Sequence, residues 1–278
     1  MTRGLPSCES DIHRVVGSPG RLTASSTRDA GSSRPTIASW SPTNALTYQR
    51  VLILEPACIL HGSSYCALES HTQGVVQTIE LYADVTCPFT HAGLRRLVER
   101  RAQLDRHDVA LRVRSWPLEL VNGKPLKGDL VGEEIAELRT AATPDLFAGF
   151  NSIQFPHTSL PALMLEASAY LNDDRTGEEV SLALRTALFE QGRDVSDPAV
   201  LAAIAASVGI AIPGREAAQL VHADWHEGER RDVSGSPYFF VGGQGFLCPT
   251  LNIEHAEGHL KISVDPKATE AFFDHCFS

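Results

Sequence analysis

The 278-residue chain holds six cysteines, Cys8, Cys58, Cys66, Cys87, Cys248 and Cys276, but no Cys-x-x-Cys pair. Their spacing matches no zinc cluster either. With no disulfide framework in view, a reducing compartment, the cytoplasm, is the simpler expectation. No run of 18 apolar residues occurs, so no membrane-spanning helix is expected. Positive charge is scarce: 24 Lys and Arg stand against 34 Asp and Glu, a net charge of −10. That balance argues against nucleic acids and anionic membranes as partners. No Gly-rich phosphate loop and no Ser-His-Asp order stands out.

Residues 1–48 lack hydrophobic periodicity and are rich in Ser, Thr, Gly, Pro and Arg, as in Gly31-Ser32-Ser33-Arg34-Pro35. Burial there cannot offset the entropy of ordering, so the stretch reads as disordered. No apolar segment in it has the length of a secretory signal, and Glu9, Asp11 and Asp29 break the acid-poor rule of transit peptides. Residues 49–74 show no clean period. The globular unit is therefore expected to begin at Val75 or Val76. Residues 1–74 are then a disordered extension or the product of a misassigned translation start, Met1 and Met164 being the only methionines.

What the chain does have is one stretch, Val75 to Arg101, around which the rest is arranged. An apolar run to Val85 reads as a buried strand. It ends in Thr86-Cys87-Pro88-Phe89-Thr90, after which Leu94, Leu97 and Val98 recur at helical spacing. Cys87 thus sits where a strand becomes a helix, with proline at the first helical position. Free N–H groups and partial positive charge at a helix start favour thiolate. A lowered thiol pKa and an accessible, nucleophilic Cys87 are the expectation.

Val109 to Pro117 alternates and reads as a second strand, completing a right-handed βαβ unit. From Leu130 to about Arg231 nearly everything reads helical: Thr158–Leu171, Glu178–Gln191, a helix opened by Asp197-Pro198, and Arg215–Arg230. The sheet resumes at Pro237–Val241, turns at Gly242-Gly243-Gln244-Gly245 and returns through Phe246-Leu247-Cys248. Ile253–His255 and Leu260–Val264 pair across Glu257-Gly258, and Pro266–Cys276 reads as a last helix.

Asp84-Val85-Thr86-Cys87-Pro88-Phe89-Thr90 with Gly93-Leu94-Arg95 resembles the active-site segment of the DsbA branch of the thioredoxin superfamily. The pattern is similar to that of FrnE-like proteins and 2-hydroxychromene-2-carboxylate isomerases. Val233-Ser234-Gly235-Ser236-Pro237-Tyr238-Phe239 resembles the family's second mark, a strand start whose proline is cis and faces the thiol. The likeness covers about Val75 to Ser278. It implies an α/β thioredoxin-like fold, residues 75–117 and 232–278, with an all-helical insertion at 118–231. It also implies a thiol–disulfide oxidoreductase or isomerase acting on protein or small-molecule thiols and disulfides. Two alternatives stay open: a glutathione-dependent isomerase or transferase of small molecules, and a non-catalytic peptide-binding module.

One departure matters. Redox members carry a second cysteine where this chain has Thr90, and a mixed disulfide needs a second thiol to resolve it. Glutathione as co-substrate, or another cysteine, would supply it; no tightly bound cofactor and no metal is expected. Cys87, Thr90 and Pro237 are the candidate catalytic residues. Thr90 either donates a hydrogen bond to the thiolate or fills the space passively. Pro88, Phe89, Ser236 and His91 are candidate substrate contacts; His91 either supports the thiolate when protonated or stands exposed. Cys248 is a candidate distant resolving thiol, because a hairpin would return it toward Pro237; the competing reading is a buried apolar cysteine. His222 and His226 lack a third ligand and read as a solvated face.

Overall fold

A computed structural model describes residues 77–256 and 259–278. The expectations for residues 1–74, with Cys8, Cys58 and Cys66, and for Glu257-Gly258 lie outside the described residues.

Four strands form one sheet in the order β2-β1-β3-β4: β1 is Gln77–Ala83, β2 Val109–Ser115, β3 Tyr238–Val241 and β4 Gln244–Leu247. β1 pairs parallel with β2, bringing Leu81 opposite Val113, and antiparallel with β3, bringing Leu81 opposite Phe239. The pleat sends alternate residues to opposite faces. On one face Ile79, Leu81, Leu111, Val113, Phe239 and Val241 pack on Leu94 and Leu97 of α1 (Pro88–Gln103). Phe272, Phe273, Cys276 and Phe277 of the last helix, α8 (Pro266–Phe277), close the same core. Each such fully buried side chain stabilises by about 1.5–3 kcal/mol.

The other face carries Tyr82, Trp116 and Phe240, and beside them Arg112 and Arg114 of β2. These arginines meet acids on the helices. Arg112 Nε donates to Asp174 Oδ1 at 2.8 Å, and Arg114 Nη1 to Asp224 Oδ1 at 3.1 Å.

Between β2 and β3 the chain runs through α2 (Leu118–Val121), α3 (Gly128–Ala141), α4 (Leu160–Ala169), α5 (Asp174–Phe189), α6 (Pro198–Ser207) and α7 (Ala218–Arg230). Val131, Ile135 and Leu138 of α3, Leu163 and Leu165 of α4, and Val180, Leu184 and Leu188 of α5 form their own apolar cluster. Asp173 and Asp197 accept backbone N–H groups at the starts of α5 and α6, as their side chains favour. Gly228 lets α7 lie close on the sheet: a Cβ there would meet Trp116 at 2.6 Å. Residues 142–159 hold only the 3₁₀ turn Ser152–Gln154, within a stretch expected to be nearly all helical; Pro144, Gly149 and Pro156 punctuate them. β5 (Asn252–Ala256) and β6 (His259–Ser263) pair as a separate antiparallel ribbon. No described helix is long and apolar enough to cross a membrane.

Candidate active site

β1 stops at Ala83 and the chain turns through Asp84, Val85 and Thr86 into α1. The Cys87 N–H donates to the Asp84 carbonyl at 3.3 Å, and Cys87, in extended backbone, occupies the helix cap with Pro88 behind it. β3 starts beside β1, so the segment before it reaches the same end of the sheet. There the Ser236–Pro237 peptide bond is cis. The Cys87 Sγ–H donates to the Ser236 carbonyl at 3.2 Å. The Ser236 hydroxyl accepts the Asp84 N–H at 3.0 Å and lies 3.0 Å from the Thr90 hydroxyl. Cys87, Thr90, Ser236 and Pro237 therefore stand together.

The protonation expected of Cys87 is reversed. The residue is 2% exposed, and burial pushes its thiol above the ordinary value. Hydrogen bonds from Thr90 and Ser236 offset part of this, while the nearby Glu134 carboxylate adds to it. A helix start favours thiolate only where desolvation does not outweigh it, and here the sulfur is sealed. The accessible thiolate read from the sequence is thus corrected to a buried, protonated thiol.

His91 is a second correction. It is 1% exposed, stacks on Phe189 at 5.0 Å between ring centres, and its Nε2 lies 2.7 Å from Glu190 Oε1. Burial lowers its pKa despite Glu190. The ring ties α1 to the end of α5 and is not available to substrate. Pro88 is buried, and half-buried Phe89 leans on the helical cluster. The Thr90 hydroxyl spans to Ser236 and is fully buried, so it does more than fill space.

Cys248 directly follows β4. Its N–H donates to the Pro237 carbonyl at 3.0 Å, and it is half-buried with φ +45°. Burial pushes its pKa up, and charge on Cys87 pushes it the same way. His222 and His226 lie on an exposed face of α7, stacked near Trp225. Among the described residues no cluster of three or more His, Cys, Asp or Glu could hold a metal.

The sequence reading gave no role to Asp84, which is fully buried. Its Oδ1 accepts the Thr86 N–H at 2.8 Å and the Thr86 hydroxyl at 2.7 Å. Its Oδ2 accepts the Leu118 N–H at 2.7 Å and the Ser159 hydroxyl at 2.9 Å. One carboxyl thus fixes the loop before Cys87, the start of α2 and the start of α4. Burial raises its pKa against these four bonds. Behind it Arg185 reaches the Asp84 carbonyl at 3.5 Å and pairs with Glu166 at 2.5 Å, both side chains sealed from solvent. Glu134 was also missed; burial lifts its carboxyl to about 7.

The family model for the DSBA-like thioredoxin domain matches residues 78–261, two thirds of the chain. The protein belongs to that family. No curated protein matches it. Among solved structures, it is similar to a 2-hydroxychromene-2-carboxylate isomerase at 14% identity and TM-score 0.48, over 61% of this chain and 87% of the other. It is similar at 14% identity and TM-score 0.48 to the cytosolic disulfide reductase DsbM from Pseudomonas aeruginosa with GSH, over 71% and 97%. A periplasmic thioredoxin-like protein from Salmonella enterica serovar Typhimurium matches at 12% identity and TM-score 0.41, over 72% and 84%.

Proposed function

We propose that the protein is a thiol–disulfide oxidoreductase that works through the single motif cysteine Cys87, in the reducing direction. Its substrates are protein or small-molecule disulfides, with glutathione as co-substrate and the cytoplasm as compartment. Residues 75–117 and 232–278 form the catalytic unit in this reading, and 118–231 the helical insertion that covers it. The observation that carries the reading is the Cys87 thiol donating to the carbonyl of the residue before cis-Pro237.

An incoming disulfide displaces the thiol from Ser236 and takes up that backbone group. The Cys87 sulfur loses its proton and attacks one substrate sulfur; a Cys87–substrate disulfide forms and the other sulfur leaves as thiolate, then is protonated. Glutathione attacks the mixed disulfide, regenerates Cys87 and leaves joined to the substrate. The direction follows from ionisation. A protein that stabilises its thiolate is an oxidant, because its reduced form is favoured. Here burial disfavours the thiolate, which favours handing electrons on. The three described cysteines Cys87, Cys248 and Cys276 are free, in keeping with a reducing compartment.

The protonated thiol also favours a second reading. A buried Sγ–H donor beside Ser236 suits holding the sulfur of bound glutathione for isomerisation or transfer on a small electrophile. Quench-trapping the full chain with oxidised glutathione separates the two. A disulfide at Cys87, and loss of glutathione-dependent disulfide reduction in Cys87→Ser, are expected. Undiminished reduction by Cys87→Ser overturns the first reading, and turnover of an electrophile without any adduct supports the second.

A further inference from the structure

We propose that Cys248 is the resolving cysteine of Cys87, so that the protein uses two thiols far apart in sequence where its family relatives use neighbours on one helix. This rests on the function proposed above and names the second thiol of the same site.

Three observations place the pair. Consecutive carbonyls receive the two residues: Ser236 O takes the Cys87 thiol at 3.2 Å, and Pro237 O takes the Cys248 N–H at 3.0 Å. The β3–β4 register ends with Tyr238 opposite Leu247, so Cys248 is one step past the ladder at the end of the sheet that holds Cys87. Cys248 stands half-buried there, with φ +45°. Cys248 is followed by Pro249, and only the Leu251 N–H bonds its carbonyl, at 3.1 Å. Its backbone is not locked into the sheet on both sides, which suits a residue that approaches a partner. A bridge needs Cα atoms within about 7 Å.

The chemistry balances. Substrate disulfide and the Cys87 thiolate give a Cys87–substrate disulfide and one free substrate thiol. The Cys248 thiolate then attacks Cys87 Sγ. The Cys87–Cys248 bond forms, the Cys87–substrate bond breaks, and the second substrate sulfur leaves and is protonated. The substrate gains two electrons and the protein loses them. Two molecules of glutathione restore the dithiol and leave as their own disulfide.

The experiment uses the full chain exposed to oxidised glutathione, quenched with acid and alkylating agent, then mapped as non-reduced peptides. Wild type is expected to show Cys87 linked to Cys248, with little glutathione retained. Cys248→Ser is expected to hold glutathione on Cys87 at least tenfold longer, and Cys248→Ala to do the same with an unchanged thermal melt. A Cys87–glutathione adduct equally long-lived in wild type and both variants overturns the resolving role but leaves Cys87 chemistry standing. So does a link from Cys87 to any other cysteine. Absence of any adduct on Cys87 in all three overturns the proposed function itself.

Discussion

Replacing Thr90 by Cys restores a Cys-x-x-Cys pattern and tests whether the scaffold around Cys87 is redox-competent. Two Cα atoms three residues apart on a helix lie about 5 Å from each other, inside the range of roughly 4.4–6.8 Å that a disulfide spans. Thr90 is fully buried and its hydroxyl lies 3.0 Å from Ser236 Oγ. The substitution removes that bond, and Ser236 Oγ keeps the Asp84 N–H as donor. The loss is about 0.5–1.5 kcal/mol. For a domain of this size each kcal/mol moves the melting temperature by about 2–4 °C, so a drop of roughly 1–6 °C is expected. The sulfur adds no bulk that the site must absorb. In return a second thiol stands one helical turn from Cys87 and competes with Cys248 for the mixed disulfide. Trapped adduct measured against glutathione concentration should show a lifetime that falls with glutathione in wild type less steeply than a simple one-thiol cycle, and not at all in Thr90→Cys. Peptide mapping should move the Cys87 partner to the new cysteine. A Thr90→Cys protein that melts within that range yet forms no bond to Cys87 under oxidised glutathione would refute the placement of the thiol and the reasoning built on it.

Three further outcomes follow from charge and burial. Alkylation of Cys87 followed against pH should titrate above the free-thiol value of about 8.5, and above about pH 7, where Glu134 is charged, Glu134→Gln should speed it by removing a like charge; an unchanged profile would exclude Glu134 from the site. The Glu134 carboxyl, raised to about 7 by burial, keeps a proton in the folded chain that the unfolded chain has lost between about pH 4.5 and 7. Stability contributed by this group therefore falls as pH rises through that window, and denaturant midpoints of Glu134→Gln should lose the slope. Arg185→Met strands Glu166 as a buried charge and should cost about 3–5 kcal/mol by chemical denaturation, whereas adding Glu166→Leu should recover much of it; equal losses in both would show that the pair's charge is not what matters.

Local order was legible where one segment decides its own conformation. The strand, Cys87-Pro88 and helix sequence and the Asp197-Pro198 helix start depend on neighbours in the chain and stand where spacing put them; the hairpin after Pro237 forms too, but its turn is only Gly242-Gly243, with Gln244 and Gly245 already in β4 and Cys248 just past it. The ionisation of Cys87 was not legible, because the groups that act on it from outside its own segment, Ser236 favouring the thiolate and Glu134 opposing it, are distant in sequence. His91 should have been read differently. It stands three residues before Leu94 and six before Leu97, on the apolar stripe of α1, and that spacing alone points it inward. Asp84 illustrates the remaining gap: its role is to gather Thr86, Leu118 and Ser159, and no local pattern shows a residue whose partners lie up to 75 positions away.

The long detour between β2 and β3 has a consequence for synthesis. β1 meets β2 within about thirty residues, but its other edge waits for β3, which begins 155 residues after β1 ends. At about 5–20 residues per second the ribosome needs roughly 8–30 s to deliver it. For that interval a central strand carrying Ile79 and Leu81 offers unpaired backbone to any passing chain. The nascent protein is most exposed to aggregation while its helices are being made, and shielding by a chaperone would matter most in that interval.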